Sequence, residues 1–137
     1  MNLLELLNRN HHLFSRMKRL ASKQEKLIET DNVYEFLDII SQRKRIQQEI
    51  SSNEKRYDKQ KKKRVESDLK ERVRELISEI EAIVLFIKQV DQRTEGLLEN
   101  RKGDLSLEIM GFRKGQKALK GYGGFNVKSP RFIDRQG

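Results

Sequence analysis

Leu69-Lys-Glu-Arg-Val73-Arg-Glu-Leu76-Ile-Ser-Glu-Ile80-Glu-Ala-Ile83-Val-Leu-Phe-Ile87-Lys-Gln-Val90-Asp-Gln-Arg-Thr-Glu-Gly-Leu97 is the stretch that decides the fold. Leu69, Leu76, Ile83, Val90 and Leu97 stand seven apart, and Val73, Ile80 and Ile87 fall between them. This unbroken three-four rhythm has the period of an α-helix. Each of these side chains, if fully buried, contributes about 1.5–3 kcal/mol, which offsets the ordering of the helix only when another helix covers the stripe. The stretch therefore needs neighbours, and its regularity makes it the expected central helix.

Upstream, the apolar residues from Leu3 to Ile28 recur at the same steps: Leu6, Leu13, Leu20 and Leu27 are seven apart, with Leu7, Phe14, Ala21 and Ile28 beside them. The facing register carries Leu3 and Met17 but also Asn10 and Gln24. Such amides either fix pairing register at a cost in stability or lie at the edge of the stripe in water, and the second is the plainer expectation. Thr30-Asp31-Asn32 then interrupts the pattern, and Asn32 followed by Glu35 reads as a helix start with a capping-box-like pairing. The helix beginning there has Phe36, Ile39, Ile46, Ile50 and Tyr57 on its stripe, widened at the start by Val33, Leu37 and Ile40. Arg43 intrudes on that stripe and is expected to lay its stem on the core with its head turned out to water. Between Ser51 and Arg64 only Tyr57 is apolar, so no buried face is expected there and the chain should reverse within it.

No glycine or proline occurs in the first 95 residues, while all eight glycines lie at or beyond Gly96, which makes a composition boundary. Leu105, Ile109, Phe112 and Leu119 keep helical spacing beyond it, although each interior glycine costs a helix about 0.8–1.0 kcal/mol. From Gly121 the chain reads as a flexible basic tail. The expected fold is all-α: an antiparallel three- to four-helix bundle of long amphipathic helices over residues 1–100, a glycine-weakened amphipathic helix over 101–120, and a flexible C-terminal tail over 121–137.

Of the 137 residues, 37% are charged and 35% hydrophobic, too polar for the broad core of a large multi-layer enzyme. The net charge of +9 is unevenly spread. Residues 55–64 carry +6, residues 101–137 carry +6, and the remainder is mildly acidic. The absence of cysteine excludes disulfides and thiolate metal sites, and a reducing, cytoplasmic location is the default expectation. The N-terminus has neither the basic start nor the apolar length of a signal peptide. The longest apolar run, Ala82 to Ile87, is far short of the roughly 20 residues needed to span a bilayer.

No catalytic, metal or cofactor site is expected. His11 and His12 are adjacent, so on a helix they point about 100° apart and cannot chelate one ion together. The glycines around 111–124 lack the Gly-Lys-Ser/Thr ending of a phosphate loop. Lys59 to Arg64 could grip phosphates, but with one aromatic neighbour and no recognition motif it reads as a solvated basic corner, which makes nucleic acid an unlikely partner.

Two short stretches carry a family resemblance. Asp31-Asn-Val-Tyr-Glu-Phe-Leu-Asp-Ile-Ile-Ser-Gln-Arg-Lys-Arg-Ile46 follows the leucine-rich opening helix, and Phe112-Arg-Lys-Gly-Gln-Lys-Ala-Leu-Lys-Gly-Tyr-Gly123 closes the pattern. Together they resemble the flagellar type III export chaperones of the FliT class over about residues 1 to 123; the FlgN class, which serves hook-filament junction proteins, shares the architecture. The resemblance implies an ATP-independent cytoplasmic chaperone that holds the filament-cap protein and delivers it to the export gate, with Tyr122 contacting a gate component. Leu105, Ile109, Phe112 and Leu119 are the candidate client-binding residues, on a movable fourth helix or, alternatively, in a permanent core. A homodimer and a basic nucleic-acid or membrane-surface module remain the competing expectations.

Overall fold

The computed structural model describes residues 2–30, 32–60 and 67–100, with only the backbone of 67 and 68. Among these residues the chain is all-α, with three long helices: α1 Leu3–Leu27, α2 Val33–Gln60 and α3 Ser67–Asn100. Asn2 caps α1, its side-chain oxygen accepting the Glu5 backbone N–H at 2.8 Å. A single 3-10 turn, Ile28–Thr30, ends the first helix and buries Ile28. Asn32 starts the next: its Oδ1 accepts from the Glu35 backbone N–H at 3.1 Å, as the sequence predicts. The return arm differs from a capping box, because the Asn32 amide nitrogen, not its backbone N–H, donates to the Glu35 carboxylate at 3.1 Å.

Ion pairs fix the directions of the helices. Arg9 meets Glu49 at 2.9 Å and Lys23 meets Glu35 at 2.9 Å, so equal steps up α1 and down α2 keep pace and the two are antiparallel. Along the other flank of α1, His11 pairs with Glu79 at 3.0 Å, Lys18 lies 4.5 Å from the ring centre of Phe86, and Glu25 pairs with Arg93 at 2.8 Å. Each pair holds the same 68-residue offset, one heptad apart, so α3 runs parallel to α1. The topology is up-down-up.

The main core joins Leu6, Leu13 and Met17 of α1 to Ile46 and Ile50 of α2 and Leu76, Ile80 and Val90 of α3. A smaller cluster of Ile28, Phe36 and Leu98 closes one end. The central helix is α1, not α3: it packs closely against both others, whereas α2 and α3 make few close backbone approaches. A regular stripe shows that a helix is covered without showing how many helices cover it. The ends of that stripe also escape burial, with Leu69 at 39% and Leu97 at 40% exposure.

One further expectation changes. The second helix continues through the polar segment to Gln60 and buries Asn53 and Tyr57 there, because Asn53 finds a polar partner inside the core. The chain is helical as far as Gln60, and the reversal expected within 51–64 lies outside the described residues. As the stripe through Leu97 predicts, α3 continues past Gly96, to Asn100.

Candidate functional site

Two kinds of site are built on this frame: polar layers inside it and one apolar face outside it. Arg43 corrects the expected outward-turned head. Its side chain is fully buried, with Nη1 and Nη2 each donating at 2.8 Å to the two carboxylate oxygens of Asp91, a bidentate pair joining α2 to α3. Nη1 also donates to Gln24 Oε1 of α1 at 2.6 Å. Burial pushes the guanidinium pKa down, opposed by the hydrogen bond and charge of Asp91. The head stays inside because an opposite charge waits at its level on α3, which a stripe read along α2 alone does not reveal.

The amides behave likewise. Asn10 and Gln24 are buried, not at a wet edge. The Asn53 amide nitrogen donates to Asn10 Oδ1 at 2.8 Å, tying α1 to α2. Along α1, Gln24 falls between Ala21 of the main core and Ile28 of the smaller cluster, so the Arg43 layer separates the two apolar regions. Any sliding of one helix past another strands these groups without partners at about 1–3 kcal/mol apiece, more for the charges, and the layers therefore specify register.

Outside, α3 carries a second apolar face. Leu85 is 58% exposed in the middle of the longest helix, with Ala82 exposed beside it, both directed away from Ile80 and Ile87 in the core, and Phe86, 36% exposed, borders this face on the α1 side. This is the run Ala82 to Ile87, in which four consecutive apolar side chains, Ile83 to Phe86, cannot all face one partner at 100° per residue. The Lys18 ammonium rests over the Phe86 ring from α1 and leaves the Leu85 side open.

The candidate client residues Leu105, Ile109, Phe112 and Leu119, and Tyr122 with them, lie outside the described residues, as do positions 61–64 of the basic run. His11 faces Glu79, and His12 is exposed. Among the described residues no group of three or more His, Cys, Asp or Glu side chains could hold a metal ion, and no helix is long and apolar enough to cross a membrane. Compared with protein-family models, curated proteins and solved structures, the chain matches none.

Proposed function

We propose that this protein is a cytoplasmic flagellar type III export chaperone, which makes and breaks no covalent bond but shields an apolar helical segment of a secreted subunit and delivers it to the export gate. The resemblance in the two quoted stretches points to the filament-cap protein as client, with a FlgN-type client, a hook-filament junction protein, as the alternative. The observation that carries the reading is the exposed Ala82 and Leu85 face on the middle of α3, bordered by the partly covered Phe86. Such a face can pack against the apolar stripe of an amphipathic helix, the same packing that the bundle uses internally. Leu105, Ile109, Phe112 and Leu119, which keep helical spacing, are the further candidate client-binding residues, and the resemblance assigns Tyr122 the contact with the gate component. A homodimer would cover the same α3 face and compete with the client.

The test is titration calorimetry of the full chain against a purified filament-cap fragment and a hook-filament junction fragment. Leu85→Glu should weaken capture of the true client at least roughly tenfold, because an anchor at the centre of an apolar contact is replaced by a charge. Unchanged affinity in Leu85→Glu would move the site off α3. No binding to either subunit by the wild-type chain would end the chaperone reading.

A further inference from the structure

Every exposed residue of α1 from Arg9 to Lys26 is basic: Arg9, His12, Arg16, Lys18, Arg19, Lys23 and Lys26. All but Lys18, which turns toward Phe86, recur at alternating steps of three and four. They form one ridge, about 25 Å long and within an arc of ~100°. A merely solvated helix face interleaves signs, as α3 does where Arg72 bonds Glu75 three residues on. On the α1 ridge no exposed acid separates Arg9, Arg16, Arg19, Lys23 and Lys26. The only acid on α1 between Arg9 and Lys26, Glu25, is half-buried and turned to Arg93.

We infer that this outer ridge of α1 is a docking surface for an acidic helix of another protein, one that presents carboxylates at the same three- and four-residue spacing. The ridge already engages that chemistry on one flank. Arg9 grips both carboxylate oxygens of Glu49, at 2.9 and 3.1 Å, and Lys23 holds Glu35, two acids fourteen residues apart on an antiparallel helix. Between and beyond those contacts Arg16, Arg19 and Lys26 have no ion pair among the described residues, and stand free to repeat the pattern outward. The ridge exposes no Phe, Tyr, Trp or aliphatic residue, so it lacks the apolar groups that insert among lipids and the large rings of a base-stacking platform. The inference does not use the α3 face and stands independently of the chaperone reading.

The experiment is fluorescence anisotropy with the full chain and a labelled, alanine-based helical peptide whose glutamates follow the three-four spacing. A second peptide of identical composition has its glutamates spread around the helix. The wild-type chain should prefer the patterned peptide by roughly tenfold, with affinity falling as salt rises. Arg16→Glu with Arg19→Glu should abolish the preference, whereas Lys70→Glu with Arg74→Glu, the same charge change on exposed positions of α3, should leave it. Circular dichroism verifies the folds, and Lys26→Glu, one residue at the far end of the ridge, should reduce the preference if the double variant does not fold. Equal affinity for the two peptides would overturn the proposal, as would equal loss in the α1 and α3 variants. Tighter, ridge-dependent binding to a short DNA duplex or to phosphatidylserine vesicles would overturn it in favour of those ligands.

Discussion

Replacing Asp91 by Ala removes both acceptors of the bidentate pair and leaves the Arg43 guanidinium fully buried with only Gln24 Oε1 facing Nη1 among its cross-helix contacts described above. Breaking a buried pair from one side costs about 3–5 kcal/mol, a large share of the 5–15 kcal/mol that typically holds a domain together. With a urea slope near 1.5 kcal/mol/M for a bundle of this size, the unfolding midpoint should drop by about 2–3 M. Removing both charges tells a different story. Arg43→Met with Asp91→Leu fills the space with apolar groups and should recover most of the loss, because desolvation of the pair offsets much of its attraction. The assay is urea unfolding followed by circular dichroism at neutral pH for the wild type, Asp91→Ala and the double variant. A loss below about 1 kcal/mol in Asp91→Ala would refute the buried pair. A double variant as unstable as the single would refute the account of why the single is unstable.

Three further outcomes follow from particular contacts. Burial, aided by the charge of Asp58, raises the Tyr57 phenol above its ordinary value, so the stability tied to its protonated form is complete below about pH 10 and lost as pH rises through the folded-state value; Tyr57→Phe should flatten that alkaline loss in denaturation measured from neutral to high pH. Gly96→Ala should raise stability by about 0.8–1.0 kcal/mol in the same urea assay, since Gly96 is helical and an added methyl group meets nothing within 4 Å. Leu85→Glu should leave stability within about 0.5 kcal/mol, whereas Ile80→Ala, at a fully buried position five residues away, should cost about 2–5 kcal/mol; similar losses in the two would mean that Leu85 is covered.

The helices were legible because each stripe is a local property. Leu6 to Ile28, Phe36 to Tyr57 and Val73 to Val90 announce their period without reference to one another, and Asn32 with Glu35 marks the start of α2 in four residues. Arg43, Asn10 and Gln24 are not legible in this way, for the converse reason. Whether a polar side chain on an apolar stripe turns out to water or stays inside depends on what stands opposite it, and Asp91 is 48 residues from Arg43 in the chain. The outer face of α3 was half legible. The run Ala82 to Ile87 is visibly apolar, yet nothing local says which of its side chains the core takes and which it leaves outside. The basic ridge of α1 is hidden in the linear sequence because its charges are diluted by the apolar residues between them, and they gather only when the helix turns them onto one exposed side.

Taken alone, then, the order of residues determined an all-α chain with its helix period, its N-terminal caps and its lack of thiol chemistry, since these rest on steric and hydrogen-bonding preferences acting over a few residues. Only the packed structure decided that α1 is central and that α3 runs parallel to it. It also decided that Arg43 closes on Asp91, and that Leu85 and the α1 cations are what the molecule shows to its surroundings. Those are matters of which surfaces bury one another, settled by contacts between residues dozens of positions apart.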